Sequence, residues 1–340
     1  YTLWHTLSLH DALPICKQKI LITGVTGFIG SNLVSHILKK KYDISAIIRP
    51  KTQYDRIKKL KDKIKLVKID LTDINKLRTY LKEESFDSIL HIGALRGGRS
   101  FSKSDFFNAN VNATEQLIIN ALKNDSNFIF CSSVGVFGAI PKSVPASENT
   151  PRQEDNYYHY TKIQAENIIQ KYILQGLRAA IIRPSITYGI PDYGFPYNLV
   201  KLIDKKQLFL PKQEFKIHLT NVDTLCNAFL YLLENSYKTG KSYIVADSKA
   251  VIFQELVHYI SRQLHNKDYP KSKFINRKFF HFGEKIAQKL NNELWTSRFQ
   301  LISRPWYYDV EKAYKELKLS RSETIPKIKK VIEWYQKNRD

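Results

Sequence analysis

Lys19-Ile20-Leu21-Ile22-Thr23-Gly24-Val25-Thr26-Gly27-Phe28-Ile29-Gly30 is the stretch that decides the fold of this chain. A short apolar strand runs straight into three glycines, and an apolar helical pattern follows through Leu33, Val34, Ile37 and Leu38. That order is the strand–turn–helix opening of a dinucleotide-binding unit. Gly24 permits the tight turn, Gly27 lets the backbone approach a pyrophosphate, and Gly30 lets helix and strand pack closely. The helix N-terminus offers unpaired N–H groups and a partial positive charge to phosphates. Gly24, Thr26, Gly27, Phe28, Ile29 and Gly30 together are therefore the candidate phosphate-facing turn. Glycines alone would describe any flexible loop; the strand before them and the helix after them make the reading specific.

Outward from this turn, apolar strand-like runs recur at 20–23, 44–48, 64–69, 88–92, 128–132 and 179–182, with helical patterns between them. Alternation of that kind predicts an α/β fold, a Rossmann-type doubly wound parallel sheet. Beyond Pro184 the pattern changes to prolines, glycine turns and helices near 223–234, 253–264, 277–290 and 322–337. The division expected is a dinucleotide-binding domain over 17–183 and a smaller, mixed substrate-binding part over 184–340. Residues 1–16 fit nothing that follows. The run 6–15 resembles a translated sequencing adapter, lacks the basic start and continuous apolar core of a signal peptide, and is expected to be a non-native, frayed tail.

A second constellation lies at Tyr158-His159-Tyr160-Thr161-Lys162, which opens a helical pattern. Residues i and i+4 share a helix face, so Tyr158 and Lys162 point the same way, whereas Tyr157 and Tyr160 have no lysine at that spacing. An ammonium beside a phenol is expected to favour the phenolate and lower the tyrosine pKa from about 10. The strand 127–131 runs into Ser132 and Ser133. In an open parallel sheet chemistry gathers outside the carboxyl ends of the strands, which places Ser133 where a hydroxyl can bond a reacting oxygen.

With these residues in place, the chain resembles an extended short-chain dehydrogenase/reductase, the group also called the NAD-dependent epimerase/dehydratase family, closest to its hydroxysteroid-dehydrogenase-like reductases. Further segments carry the likeness: Asn110-Val111-Asn112-Ala113-Thr114 for Asn-Val-x-Gly-Thr, Asp70-Leu71-Thr72-Asp73 for Asp-Leu-x-Asp, and Arg183-Pro184 with Tyr188-Gly189 for Arg-Pro-x-x-x-Tyr-Gly. His91-Ile92-Gly93-Ala94 is similar to the family's His-x-Ala-Ala segment, with Gly93 replacing the first alanine. The resemblance implies a catalytic set of Ser133, Tyr158 and Lys162, with Asn110 beside them. It also implies that Asp70, Leu71, Gly93, Ala94 and Pro184 line the cofactor together with Tyr158 and Lys162, and that Asp70 bonds the adenine amino group.

Cofactor choice is read at the end of the second strand. Ile47-Ile48-Arg49-Pro50-Lys51 has no acid there, and Arg49 can meet a 2′-phosphate, so NADP is favoured; NAD is the alternative if the arginine stacks on adenine. The expected activity is hydride transfer to or from a hydroxyl or carbonyl group by an NAD(P)-dependent oxidoreductase. A nucleotide-sugar epimerase with retained NAD is the alternative, and an inactive dinucleotide-binding protein the reading from another class. Sugar dehydratases carry Asp-Glu where this chain has Val134-Gly135, which disfavours dehydration. Lys216, ahead of Asn221-Val222-Asp223, can meet a substrate phosphate.

Composition excludes other classes. No apolar run approaches the roughly 20 residues a membrane span needs, and the net charge of +22 is spread along the chain, as at Lys205-Lys206 and Lys327-Lys329-Lys330. No zinc-finger or RNA-binding motif accompanies it, so nucleic acid is not an expected partner and no metal site is expected. Three cysteines are too few for a disulfide framework and suit a reducing cytoplasm. The expected partner is a small-molecule substrate, with a homodimer as the admitted assembly.

Overall fold

Along each strand, neighbouring side chains enter different cores, as the period of two in a pleated strand requires. Ile20 and Ile22 join one hydrophobic cluster and Leu21 the other; Leu90 and Ile89 divide in the same way. Both faces of the sheet are therefore covered, the condition for an all-parallel sheet. The computed structural model describes residues 17–339 apart from 41, 57, 59, 97–100 and 192–193. The adapter-like tail lies outside the described residues.

The N-terminal elements are β1 (Lys19–Thr23), α1 (Phe28–Ile37), β2 (Asp43–Ile48), β3 (Lys65–Lys68), α2 (Ile74–Glu83) and β4 (Ser88–His91). They continue with α3 (Lys103–Phe107), a π-helical turn Asn108–Asn112, α4 (Ala113–Lys123), β5 (Asn127–Cys131), α5 (Tyr157–Ile173) and β6 (Arg178–Pro184). The strands order as β3-β2-β1-β4-β5-β6, all parallel, and a seventh strand, Ser242–Val245, joins beside β6. Order reverses between β1 and β4, which is where a doubly wound sheet opens its ligand crevice.

One face is packed by residues of α2, α4 and α5, such as Leu77, Leu117 and Ile169. The other is packed by α1 and the helix Val222–Glu234, and this core continues without a break into the C-terminal part. There the helices Phe195–Asp204, Phe253–His265 and Thr324–Asn338 pack on one another. Within the C-terminal part, the Tyr188 hydroxyl donates to Asp247 Oδ2 at 2.7 Å, and Thr324 donates to the same oxygen at 2.6 Å. Among the described residues no helix is long and apolar enough to cross a membrane, and no group of His, Cys, Asp and Glu gathers as a metal site. Cys131 and Cys226 are free and buried.

Candidate active site

The glycine turn is closed by contacts that leave no room for side chains. A Cβ on Gly30 would lie 2.2 Å from the Gly24 carbonyl oxygen, and one on Gly24 would lie 2.7 Å from the Gly93 nitrogen. Gly24 also has φ +79°, a conformation that glycine adopts without strain. At Gly27 the Cβ position meets only the Gly24 oxygen, at 3.3 Å, so this glycine leaves an open approach to the turn. Gly27 caps α1 with no side-chain hydrogen bond, and the first turn carries no acid. Among the described residues the leading N–H groups of α1 thus have no side-chain acceptor, a donor set suited to a pyrophosphate.

The strand ends on either side of the crevice are pinned together. Thr23 Oγ1 pairs with His91 Nδ1 at 2.7 Å and accepts the Gly93 N–H at 2.9 Å. His91 Nε2 pairs with Thr114 Oγ1 at 2.9 Å. Burial, with the Lys162 charge, pushes the His91 pKa down to about 3, so the ring is neutral. A Cβ on Gly93 would come within 3.0 Å of both Thr23 Oγ1 and Leu71 Cδ1, which explains glycine there. Ala94 follows it. Asp70 Oδ1 accepts from the Thr72 N–H and hydroxyl at 3.0 and 2.9 Å, fixing its carboxylate at the end of β3. Pro184 closes β6 in the buried interior. Arg49 is exposed just past β2, with its guanidinium carbon 6.0 Å from the Phe101 ring centroid.

The two serines after β5 take opposite directions. Ser132 turns into the core and donates to Glu166 at 2.5 Å. Ser133 turns toward the crevice, where its oxygen accepts the Gly135 N–H at 3.0 Å and its hydroxyl favours the Tyr158 phenolate. Asn156 caps α5 through its side chain, so Tyr158 sits in the first turn and Lys162 one turn further on.

Lys162 does not act on Tyr158 as its spacing suggested. Its ammonium is buried, donates to the Cys131 carbonyl at 2.7 Å and lies 4.6 Å from the Phe130 ring centroid. Burial, with the Arg96 charge, lowers its pKa to about 8. Loss of solvent pushes the Tyr158 phenol up to about 12, and the cation that counters this is Arg96. The free protein therefore holds Tyr158 as a neutral phenol. Arg96 was not singled out in the sequence; its signal is a cation two places past the Gly93-Ala94 segment.

Asn110 sits in the π-helical turn, wholly buried. Its amide oxygen accepts the Leu95 N–H at 2.7 Å, and its nitrogen donates to the Leu95 carbonyl and the Thr161 hydroxyl, each at 3.0 Å. It fixes the backbone that carries Arg96 against the helix that carries Tyr158. Beneath Lys162, Glu166 is fully buried and receives Arg183 at 2.9 and 2.7 Å and Arg152 at 2.7 Å. Residues 158, 162 and 166 thus form one helix row from crevice to core.

A cleft of about 250 Å³ is lined by Val144 of the N-terminal part and by Gln213, Glu214, Lys216, Arg277 and Tyr307 of the C-terminal part, among others. Arg277 Nε there is buried without a partner among the described residues.

Comparison with known proteins agrees with this architecture. The family model "NAD dependent epimerase/dehydratase family" matches residues 20–246. UDP-glucose 4-epimerase 2 of Arabidopsis thaliana is 28% identical over 211 residues, covering 55% of this chain and 59% of that protein. The chain thus spans a little over half the length of that curated relative. Among solved structures, UDP-glucuronic acid 4-epimerase from Bacillus cereus in complex with NAD gives a TM-score of 0.74 at 19% identity, over 95% of this chain and 100% of that one. The dTDP-glucose 4,6-dehydratase of Bacillus anthracis, also with NAD, gives 0.71 at 21% identity, over 95% and 97%. The matched stretch takes in the glycine turn, the Tyr158–Lys162 helix and the main sheet as far as the strand Ser242–Val245, and the chain belongs to the NAD-dependent epimerase/dehydratase family.

Proposed function

We propose that the protein is a hydride-transfer enzyme that epimerises a hydroxyl-bearing carbon of a nucleotide-linked sugar, keeping its dinucleotide through the cycle. The observation that carries the chemistry is the Tyr158 phenol beside the Ser133 hydroxyl at the carboxyl end of β5. Bound against the glycine turn, the dinucleotide supplies the group that accepts and returns hydride. For this step Tyr158 must first give up its phenol proton to solvent, an ionisation that Arg96 and the Ser133 hydroxyl favour; the phenolate then takes the proton from the substrate hydroxyl and gives it back to the carbonyl oxygen. Ser133, which accepts the Gly135 N–H and directs its hydroxyl hydrogen at the Tyr158 oxygen in the free protein, would turn that hydrogen to the substrate oxygen. Arg96 sets the charge around the phenol, while Lys162, one helix turn further on, is held by the Cys131 carbonyl. The sequence alone put a net reductase first; the epimerase relatives and the two cations of the cleft, Lys216 and Arg277, favour a diphosphate-bearing substrate. Val134-Gly135 in place of Asp-Glu speaks against dehydration.

A reductase using NADP is the second reading, and Arg49, with no acid in the stretch 47–51, favours it. One experiment separates the two. The protein is purified without added nucleotide and denatured, and the supernatant is assayed for dinucleotide. Stoichiometric NAD or NADH is the expected result; an empty protein that binds NADP reversibly would overturn the epimerase reading. The same preparation tests Arg49→Ala. If Arg49 meets a 2′-phosphate, the variant loses about 1.5–3 kcal/mol of NADP binding and little NAD binding. Equal losses in a calorimetric titration would show that the arginine only stacks.

A further inference from the structure

We propose that the helical hairpin 277–301 is a membrane-docking element that seats the protein on an anionic bilayer surface. Six of the eleven exposed large hydrophobic side chains among the described residues lie in it. Phe279 and Phe282 are each 66% exposed, Leu290 72% and Trp295 50%. They are not the untidy outside of a core helix. In the helix Arg277–Lys289 the buried face is Phe280, Glu284 and Ala287, and it packs inward. Phe279, Phe282, Ile286 and Leu290 follow a separate row at i, i+3, i+7 and i+11, turned away from that face.

The hairpin is built to hold this row outward. A Cβ on Gly283 would lie 2.6 Å from Phe299 of the second helix, Glu293–Leu301, so the two helices meet in direct contact. Glu284 accepts from Gln300 at 2.8 Å and from Arg304 at 2.5 Å, which fastens the two helices to each other and to the segment that follows them. The exposed row is therefore a surface of a fixed unit.

Charge selects the occupant. Between Lys271 and Arg298 the chain has seven basic and two acidic residues, and one of the acids is the buried Glu284. Lys278, Lys285 and Lys289 run beside the apolar row at the same spacing, all exposed. An apolar stripe of Phe, Leu and Trp bordered by lysines is the pattern of a helix lying in the plane of an interface, its rings among the acyl chains and its ammonium groups at acidic headgroups. The helix has 13 residues, about 20 Å, too short to span a hydrocarbon core of about 30 Å. A second copy is a poor occupant, because a two-fold contact through this patch would set the lysine row against itself.

Sedimentation with lipid vesicles tests the proposal. The full chain is expected to pellet with vesicles containing about one third phosphatidylglycerol, to stay in the supernatant with phosphatidylcholine alone, and to be released by salt. The triple variant Phe279→Ser, Phe282→Ser, Leu290→Ser should lose about tenfold or more of the binding at an unchanged melting temperature. Lys278→Glu, Lys285→Glu, Lys289→Glu should do the same, and serves as the independent variant if the first folds poorly. Three outcomes would overturn the proposal. One is a native protein that ignores anionic vesicles. Another is a serine variant that binds as well as the parent, which would assign the attraction to the chain's general positive charge. The third is a dimer on gel filtration that the serine variant breaks, which would assign the patch to a second copy.

Discussion

Replacing Tyr158 with phenylalanine should lower turnover about 10²- to 10⁴-fold, the span associated with loss of a positioned proton-transfer group. The change removes one oxygen and leaves the ring, which packs 5.8 Å from the His159 ring, centroid to centroid, so little stability should be lost. No hydrogen bond of the glycine turn or of the Thr23–His91–Thr114 chain involves this side chain. Dinucleotide affinity should therefore stay within a few-fold of the parent. The measurement is interconversion of UDP-glucose and its 4-epimer, or NADPH consumption under the reductase reading, beside a binding titration. Parent-like turnover would remove Tyr158 from the mechanism. A loss of affinity as large as the loss of turnover would show that the hydroxyl builds the cofactor site instead.

The second large effect concerns stability. Glu166→Leu should cost about 3–5 kcal/mol, because it strands the buried Arg183 guanidinium without its carboxylate. Arginine cannot escape the penalty by losing its proton. The double variant Glu166→Leu, Arg183→Leu should recover much of the loss, since an apolar pair of similar volume often replaces a buried ion pair at little cost. Urea unfolding of the parent, the single and the double variant decides the point. A single variant within about 1 kcal/mol of the parent would mean that water or Arg152 compensates. The pH dependence carries the same sign. Burial raises the Glu166 pKa, but the Arg183 bond and charge, then Arg152 and Ser132, outweigh it and hold the value below the ordinary 4.5. Its contribution is thus fully present above that ordinary value and is lost as the pH falls through the lower folded one.

The sheet was legible because its signal is local. Five of the six apolar runs are strands buried on both faces, and the sixth is the half-buried edge strand Lys65–Lys68; the glycine turn is dictated by backbone contacts at Gly24 and Gly30 that only glycine satisfies. The long C-terminal helices were legible for a similar reason, since one face of each is apolar. What escaped depends on partners far apart in sequence. The strand Ser242–Val245 reads as an ordinary short apolar run, and only its pairing with β6 makes it part of the main sheet. The i, i+4 spacing correctly set Tyr158 and Lys162 on one face, yet the lysine reaches the Cys131 carbonyl, which no helix rule reveals. Arg96 acts on the phenol from a loop after β4, and Glu166 gathers donors from three other segments. A residue type can be read from a motif; the direction of its charge comes from tertiary neighbours.

The pairing of β6 with the strand Ser242–Val245 bears on how the chain is made. Some sixty residues of the C-terminal part must leave the ribosome before the row of open amide and carbonyl groups along β6 is covered. Until then a nascent chain that already holds the whole glycine turn displays a bare sheet edge, the kind of surface on which other strands add. The dinucleotide half therefore comes to maturity only with the help of the half that follows it, and a gene cut at residue 183 would express a sheet with its flank open.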